Sequence, residues 1–200
     1  NVLRKISKVS ISPKSYNNKF GVPLSLFNIK QNDEFGILEV GMDKKGEIDY
    51  LSKIIKPDVG VITNINYAHA KNFKNIKQIA LAKSEIINNI RSNGFVILNA
   101  DDNFFTLHKK IAAKKNLKII SFGIKNKKSI IKLLSIKKTG KKFKANIRIN
   151  NLKTYFLLSN DFQNNISNIL ASLAVMSIFL DISKINKNMF VNFSTPNGRG

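Results

Sequence analysis

Two short apolar runs in this chain end in residues that can hold a cation. Phe35-Gly36-Ile37-Leu38-Glu39-Val40-Gly41 carries a carboxylate at its far end. Asp58-Val59-Gly60-Val61-Ile62-Thr63-Asn64 is followed closely by His69. In open α/β sheets, ligands bind beyond the carboxyl ends of the strands, so Glu39 and His69 are expected on one rim. A parallel strand covered on both faces is continuously apolar, and an ionised carboxylate buried there is costly unless paired or metal-bound. At the strand end, Glu39 can coordinate a hard cation such as magnesium, which prefers oxygen ligands. The alternative is an exposed glutamate where a strand frays. His69 has its own alternative, a packed or exposed bystander.

Lys83 is a third candidate. Ile76, Ile79, Ile86 and Ile90 mark an apolar stripe at three- and four-residue steps, and Lys83 falls in it, where an apolar side chain is expected. Either its stem packs while the ammonium reaches outward, or it is buried for a purpose; buried lysines shift in pKa and become modifiable. His108, beside Lys109 and Lys110, reads as part of a solvated helix and is assigned no role. Asp101 or Asp102 is expected to cap the helix that follows, with a role at a nucleotide as the alternative. The chain has no G-x-x-x-x-G-K-[ST] phosphate loop, no Ser/His/Asp order and no cysteine.

The elements that must position these residues alternate. Strand-like runs at 35–40, 58–63, 95–99 and 117–122 are separated by helix-like stretches at 47–56, 75–91 and 103–114. Such alternation predicts an α/β fold, a mostly parallel sheet with flanking helices. After Gly123 the texture changes. Three extended segments at 129–136, 142–149 and 153–158, separated by Lys138-Thr139-Gly140 and Asn150-Asn151, predict a small antiparallel meander. Helical spacing returns over 164–180, and a short helix is expected around 184–193 before Thr195-Pro196-Asn197-Gly198-Arg199-Gly200, which reads as a linker.

The 200 residues suit one full domain, or one domain with part of another, and a hydrophobic fraction of 43% is that of a globular chain. No apolar run is long enough to span a bilayer, and the lack of cysteine is compatible with a cytoplasmic setting. The formal charge of +22 invites a nucleic-acid reading. Against it, the cations are nearly all lysine, with arginine only at Arg4, Arg91, Arg148 and Arg199, and they are spread along the chain. Lysine, asparagine and isoleucine are abundant together, a pattern that genome composition accounts for. No nucleic-acid or membrane partner is expected.

Four segments, in order, resemble the central ATPase domain of the Mur ligases, the enzymes that extend the peptidoglycan precursor peptide. They are Ser15-Tyr16-Asn17-Asn18-Lys19-Phe20-Gly21-Val22-Pro23-Leu24-Ser25-Leu26; Leu38-Glu39-Val40-Gly41-Met42 with Gly46-Glu47-Ile48; Thr63-Asn64-Ile65 followed by Ala68-His69; and Ala82-Lys83-Ser84-Glu85-Ile86. The first stretch is most similar to the member that adds D-alanyl-D-alanine to UDP-N-acetylmuramoyl-tripeptide. The resemblance implies a P-loop-NTPase-like central domain over residues 1–194, with 195–200 as the hinge to a further domain.

It also implies roles. Glu39 and His69 would bind Mg2+, and Lys83, carbamylated, would present a carboxylate-like group to a second Mg2+ and serve catalysis. Asn17 and Asn18 would lie at the UDP-sugar-peptide substrate. Asn165 and Asn168 match an adenine-side pattern, and Arg199 a hinge arginine close to ATP. The segment 161–164 departs from the usual Gly and His of that pattern. The implied activity is ATP-dependent ligation through an acyl phosphate, by a cytoplasmic monomer. The phosphate loop is expected immediately upstream of Asn1 and the other two domains outside this sequence, so the chain is expected to be an inactive fragment by itself. The competing readings are a sister Mur ligase for another amino acid and a basic nucleic-acid-binding domain.

Overall fold

The computed structural model describes residues 2–13, 15–67, 72–159 and 165–191. Its chain divides into an N-terminal unit, Ile6–Val96 with Asp102–Ile119, and a C-terminal unit, Asn1–Lys5, Ile97–Asp101 and Ile120–Gly200. Strands β3 (Val59–Ile62), β4 (Phe95–Asn99) and β5 (Lys118–Gly123) alternate with helices α2 (Glu47–Ile55), α3 (Ile76–Asn88) and α4 (Phe105–Lys114). Three further strands follow, β6 (Ile131–Thr139), β7 (Lys142–Ile149) and β8 (Leu152–Leu158), and hydrogen bonding orders the main sheet β3-β4-β5-β6-β7-β8, parallel in its first half and antiparallel from β6 onward. The expected α/β architecture with an added meander is the one observed.

In the N-terminal unit each element has a local cause. Asn75 caps α3 by accepting from Gln78 N (3.1 Å), and the Gln78 side chain accepts from Lys74 N (2.9 Å), so donors at the helix start are satisfied reciprocally. Helix α2 opens at Gly46 in the left-handed region (φ 92°), with Glu47 and Asp49 in its first turn, where the helix dipole favours negative charge. Helix α3 buries Ile79, Ala80, Ala82 and Ile87. Gly60 in β3 is needed for close approach: a Cβ there would lie 2.7 Å from Ile90 Cδ1.

Two elements were not anticipated from sequence. Strand β1 (Val9–Ile11) pairs in parallel with β2 (Phe35–Ile37) in a sheet of two strands, and α1 (Gly21–Phe27) follows. Both are too short for periodicity to reveal. The run expected as a strand over 35–40 stops at Ile37, and β2 is half-exposed to exposed. It is therefore not a doubly covered strand of the main sheet, and burial does not explain Glu39, which is exposed.

In the C-terminal unit, β6 (Ile131–Thr139), β7 (Lys142–Ile149) and β8 (Leu152–Leu158) form the meander. Two-residue loops join them, Gly140-Lys141 and Asn150-Asn151, with Gly140 (φ 58°) and Asn150 (φ 52°) left-handed. β5 and β6 are parallel yet joined by a short link, so they overlap only at Phe122↔Ile131 and Gly123↔Lys132; a full parallel overlap needs a crossover of a dozen residues or more. Asp101 folds the link by accepting from Lys125 N (3.0 Å) and Asn126 N (2.7 Å). Helix α5 (Ile166–Phe179) is apolar almost all round and largely buried.

One expected helix is corrected. The stretch around 184–193 contains a 3-10 turn at Ile182–Lys184 and bends through Val191, with residues 192 and 193 outside the described ones. The Asp181 carboxylate accepts from Ser183 N (3.0 Å) and the Asn186 carboxamide oxygen from Asn188 N (2.8 Å), side-chain bonds that compete with helix continuation. Among residues 2–8 the regular structure is a 3-10 turn at Leu3–Lys5.

The meander's outward positions set like charges opposite one another: Lys132↔Arg148, Lys137↔Lys144 and Arg148↔Lys153. Such pairs destabilise a ladder, although Lys144 Nζ finds the Tyr155 ring at 4.2 Å. Raising ionic strength from about 0.01 M to about 1 M, which shrinks the Debye length from roughly 30 Å to 3 Å, is expected to raise the melting temperature. Lys137→Glu should raise it at low salt and flatten the salt dependence; a melting temperature that falls with salt would contradict the account. Gly21→Ala would place a Cβ 2.4 Å from Tyr16 Cα. It should cost about 1–3 kcal/mol, read as a lower urea midpoint at unchanged slope.

Candidate functional site

The site residues of the N-terminal unit lie where regular structure gives out. Beyond Ile37 the backbone donors that a longer strand would pair are taken by the segment after β1. Ser12 Oγ accepts from Glu39 N (3.2 Å) and Asn17 O accepts from Gly41 N (2.7 Å). Asn17 Nδ2 also donates to Glu39 Oε1 (3.2 Å). A Cβ on Gly41 would lie 2.9 Å from the Asn17 carboxamide carbon, so this glycine admits Asn17. Two residues assigned separate roles from sequence are thus bonded to each other.

Asn18 is built into the start of α1. Its Oδ1 accepts from Phe20 N (3.0 Å) and Gly21 N (2.9 Å), and its carbonyl accepts from Val22 N (3.0 Å). The far end of the Glu39 segment is anchored too. Glu47 Oε2 accepts from Asp43 N (2.6 Å) and Lys44 N (3.0 Å), bonds that hold its carboxyl below the ordinary value of 4.5. Glu85, reaching across from α3, accepts from Gly46 N (2.9 Å) and Asp49 N (3.1 Å). Asn89 Nδ2 donates to Asp49 Oδ1 (2.9 Å) and Ser52 Oγ (2.8 Å). Helix α3 therefore fixes α2, and with it the segment that begins at Glu39.

The same helix presents Lys83, half-buried, with its ammonium donating to Asn64 O (3.2 Å). Burial pushes the Lys83 pKa below 10.5, and the Asp102 carboxylate opposes that shift. Of the two readings of Lys83, partial burial with an oxygen partner is the one observed. The expected cap is corrected: α4 starts from Phe104 with no side-chain cap, and Asp102 lies two residues ahead of it, accepting from Phe104 N (2.8 Å) and from Ile65 N (2.8 Å). Asp101 instead serves the link after β5.

His108 corrects the sequence reading. It is 2% exposed, and a ring nitrogen meets Ala80 O at 3.0 Å. Since the carbonyl only accepts, Nε2 carries the proton. Lys109 and Lys110 made the helix look solvated, yet His108 and Ala112 are its buried residues; their four-residue step was the available signal.

His69 and Arg199 lie outside the described residues. Among the described residues no three of His, Cys, Asp or Glu gather as a metal group. In the C-terminal unit, Asn165 is buried at the cap of α5, and Asn168, one turn on, is exposed with its carbonyl accepting from Ser172 Oγ (2.8 Å). Among the described residues no helix is long and apolar enough to cross a membrane.

Comparison with known proteins gives the family. The family model "Mur ligase middle domain" matches residues 1–176. The UDP-N-acetylmuramoyl-tripeptide–D-alanyl-D-alanine ligase of Buchnera aphidicola subsp. Acyrthosiphon pisum is 40% identical over 127 residues, 64% of this chain and 28% of that protein. The ligase of the same name from Buchnera aphidicola subsp. Baizongia pistaciae is 35% identical over 188 residues, 92% of this chain and 40% of that protein. A crystal structure of MurF from Acinetobacter baumannii superposes with a TM-score of 0.87 at 26% identity, covering 99% of this chain and 43% of that one. The chain belongs to the Mur ligase family, matching its middle domain over residues 1–176. It spans less than half the length of these relatives.

Neutral in the fold, His108 makes stability depend on pH. Burial holds its pKa below 6.5. The unfolded chain binds a proton below pH 6.5 that the buried ring refuses, so stability falls as pH drops from 6.5 toward the folded value and is level above. His108→Gln, which keeps a donor and cannot titrate, should flatten the urea midpoint below pH 6.5. An unchanged pH slope in that variant would remove the assignment.

Proposed function

We propose that this chain is the central, ATP-binding part of an ATP-dependent ligase that joins D-alanyl-D-alanine to UDP-N-acetylmuramoyl-tripeptide in peptidoglycan precursor synthesis. The single observation that carries the reading is the half-buried Lys83, held with its nitrogen against a backbone carbonyl and its pKa lowered, at the position the family carbamylates. A lysine drawn partly out of water spends more time as the neutral amine. The neutral nitrogen adds to the carbon of CO2 and gives up a proton, leaving a carbamate. Relatives bearing the ligase's name support the choice over a sister enzyme for another amino acid.

The donor chemistry fits Mg2+: an exposed carboxylate at Glu39, steadied by Asn17, would hold one ion together with His69, and a carbamate oxygen at Lys83 would hold a second. Magnesium would offset charge on the transferred phosphoryl oxygens. The γ-phosphoryl of ATP passes to the terminal carboxylate of the tripeptide, giving an acyl phosphate and ADP. The free amine of D-alanyl-D-alanine then attacks the acyl carbon and phosphate leaves. Asn17 and Asn18 contact the UDP-linked substrate, and Asn165, Asn168 and Arg199 the nucleotide. In this reading residues 1–194 are one functional domain with a hinge at 195–200, and the whole protein is a cytoplasmic monomer without nucleic-acid partners.

The test uses the full-length protein. Phosphate release should require both UDP-N-acetylmuramoyl-tripeptide and D-alanyl-D-alanine; release driven by a single amino acid in place of the dipeptide would move the assignment to a sister ligase. Glu39→Ala and Lys83→Ala should each lower kcat by at least about a hundredfold, the scale of losing one preorganised charge, with far-UV circular dichroism unchanged. Wild-type turnover from either variant would remove these roles.

A further inference from the structure

We propose that Asp102 is a positioning residue for Lys83, acting through one peptide group that the two side chains grip from opposite edges. This goes a step beyond the ligase reading and rests on it for its catalytic consequence. The peptide is the one between Asn64 and Ile65. Its carbonyl accepts from Lys83 Nζ (3.2 Å) and its N–H donates to Asp102 Oδ2 (2.8 Å). In a trans peptide the two groups point in opposite directions, so the carboxylate fixes the plane against which the lysine nitrogen rests.

Asp102 cannot swing away cheaply. Its other oxygen accepts from Phe104 N (2.8 Å) and its carbonyl from Phe105 N (3.0 Å), which ties it to the start of α4. Helix α4 is in turn tied to α3 by His108 at Ala80 O (3.0 Å), one turn before Lys83. Three links therefore close a ring: α3 to the loop through Lys83, the loop to α4 through Asp102, and α4 back to α3 through His108. A charge-assisted bond on the N–H also polarises the carbonyl and strengthens it as an acceptor. Without the carboxylate the peptide is free to rotate, and Lys83 loses its oxygen partner. In the carbamylated form Nζ keeps one N–H, and a carbonyl held in place orients the planar group about it.

Asp102→Asn separates this role from the turn that Asp102 makes ahead of α4. An asparagine can still accept from Phe104 N through its carboxamide oxygen, while the amide NH2 it then turns toward Ile65 N cannot accept. In the full-length protein with 13Cε-labelled lysine, the Lys83 signal, identified by its loss in Lys83→Ala, is expected to move in Asp102→Asn. The kcat for ligation should fall about tenfold or more, the usual cost of losing an outer partner, with KM for both substrates within about twofold and the melting temperature nearly unchanged. Asp102→Ala should lose the same activity together with thermal stability. An unmoved Lys83 signal, or a kcat in Asp102→Asn within twofold of wild type, would overturn the proposal. If wild type itself fails to use D-alanyl-D-alanine but the Lys83 signal still moves, the ligase reading fails and the positioning stands.

Discussion

A lysine nitrogen drawn partly out of water needs an oxygen, and the N-terminal unit is arranged to supply one. The Asn64 carbonyl alone would be a soft support, because a loop peptide can turn. The Asp102 carboxylate on its other edge makes it a fixed one. The outcome is a lysine held in place at reduced cost, with a charge nearby that limits how far burial lowers its pKa.

Helix α3 serves two ends. One face offers Lys83 and the Ala80 carbonyl; Glu85 and Asn89 reach the start and body of α2. The segment from Glu39 to Glu47 has no regular structure until α2 begins, and it is fixed instead by polar contacts at both ends. Ser12 and Asn17 take its first donors, Glu47 and Glu85 its last. Side-chain acceptors and one loop carbonyl take the place of a strand ladder along this segment. The chemistry proposed for Glu39 depends on that replacement, since it leaves the carboxylate exposed.

The C-terminal unit shows the same economy. Asp101 takes the backbone donors of the link after β5, letting a short connection serve two parallel strands that barely overlap. The adjacent carboxylates Asp101 and Asp102 thus do different work, one closing the β5–β6 link and the other gripping the loop after β3. Neighbours in sequence, they are separated by what each can reach.

Sequence alone determined the long periodic elements and the family. β4 and β7 lie where their apolar alternation or continuity put them, α2, α3, α4 and α5 within a few residues of their expected ends, and the two turn pairs form the hairpins their residue types favour. Lys83 stood out because a charge broke an apolar stripe. Tertiary structure alone decided the pairing of β1 with β2, the early end of the 35–40 strand, the burial of His108 and the grip on the Asn64–Ile65 peptide. These rest on contacts between residues far apart in the chain, such as Ile65 with Asp102 and Ala80 with His108. Local periodicity records which face of an element is apolar; it carries no record of which distant donor will meet which acceptor.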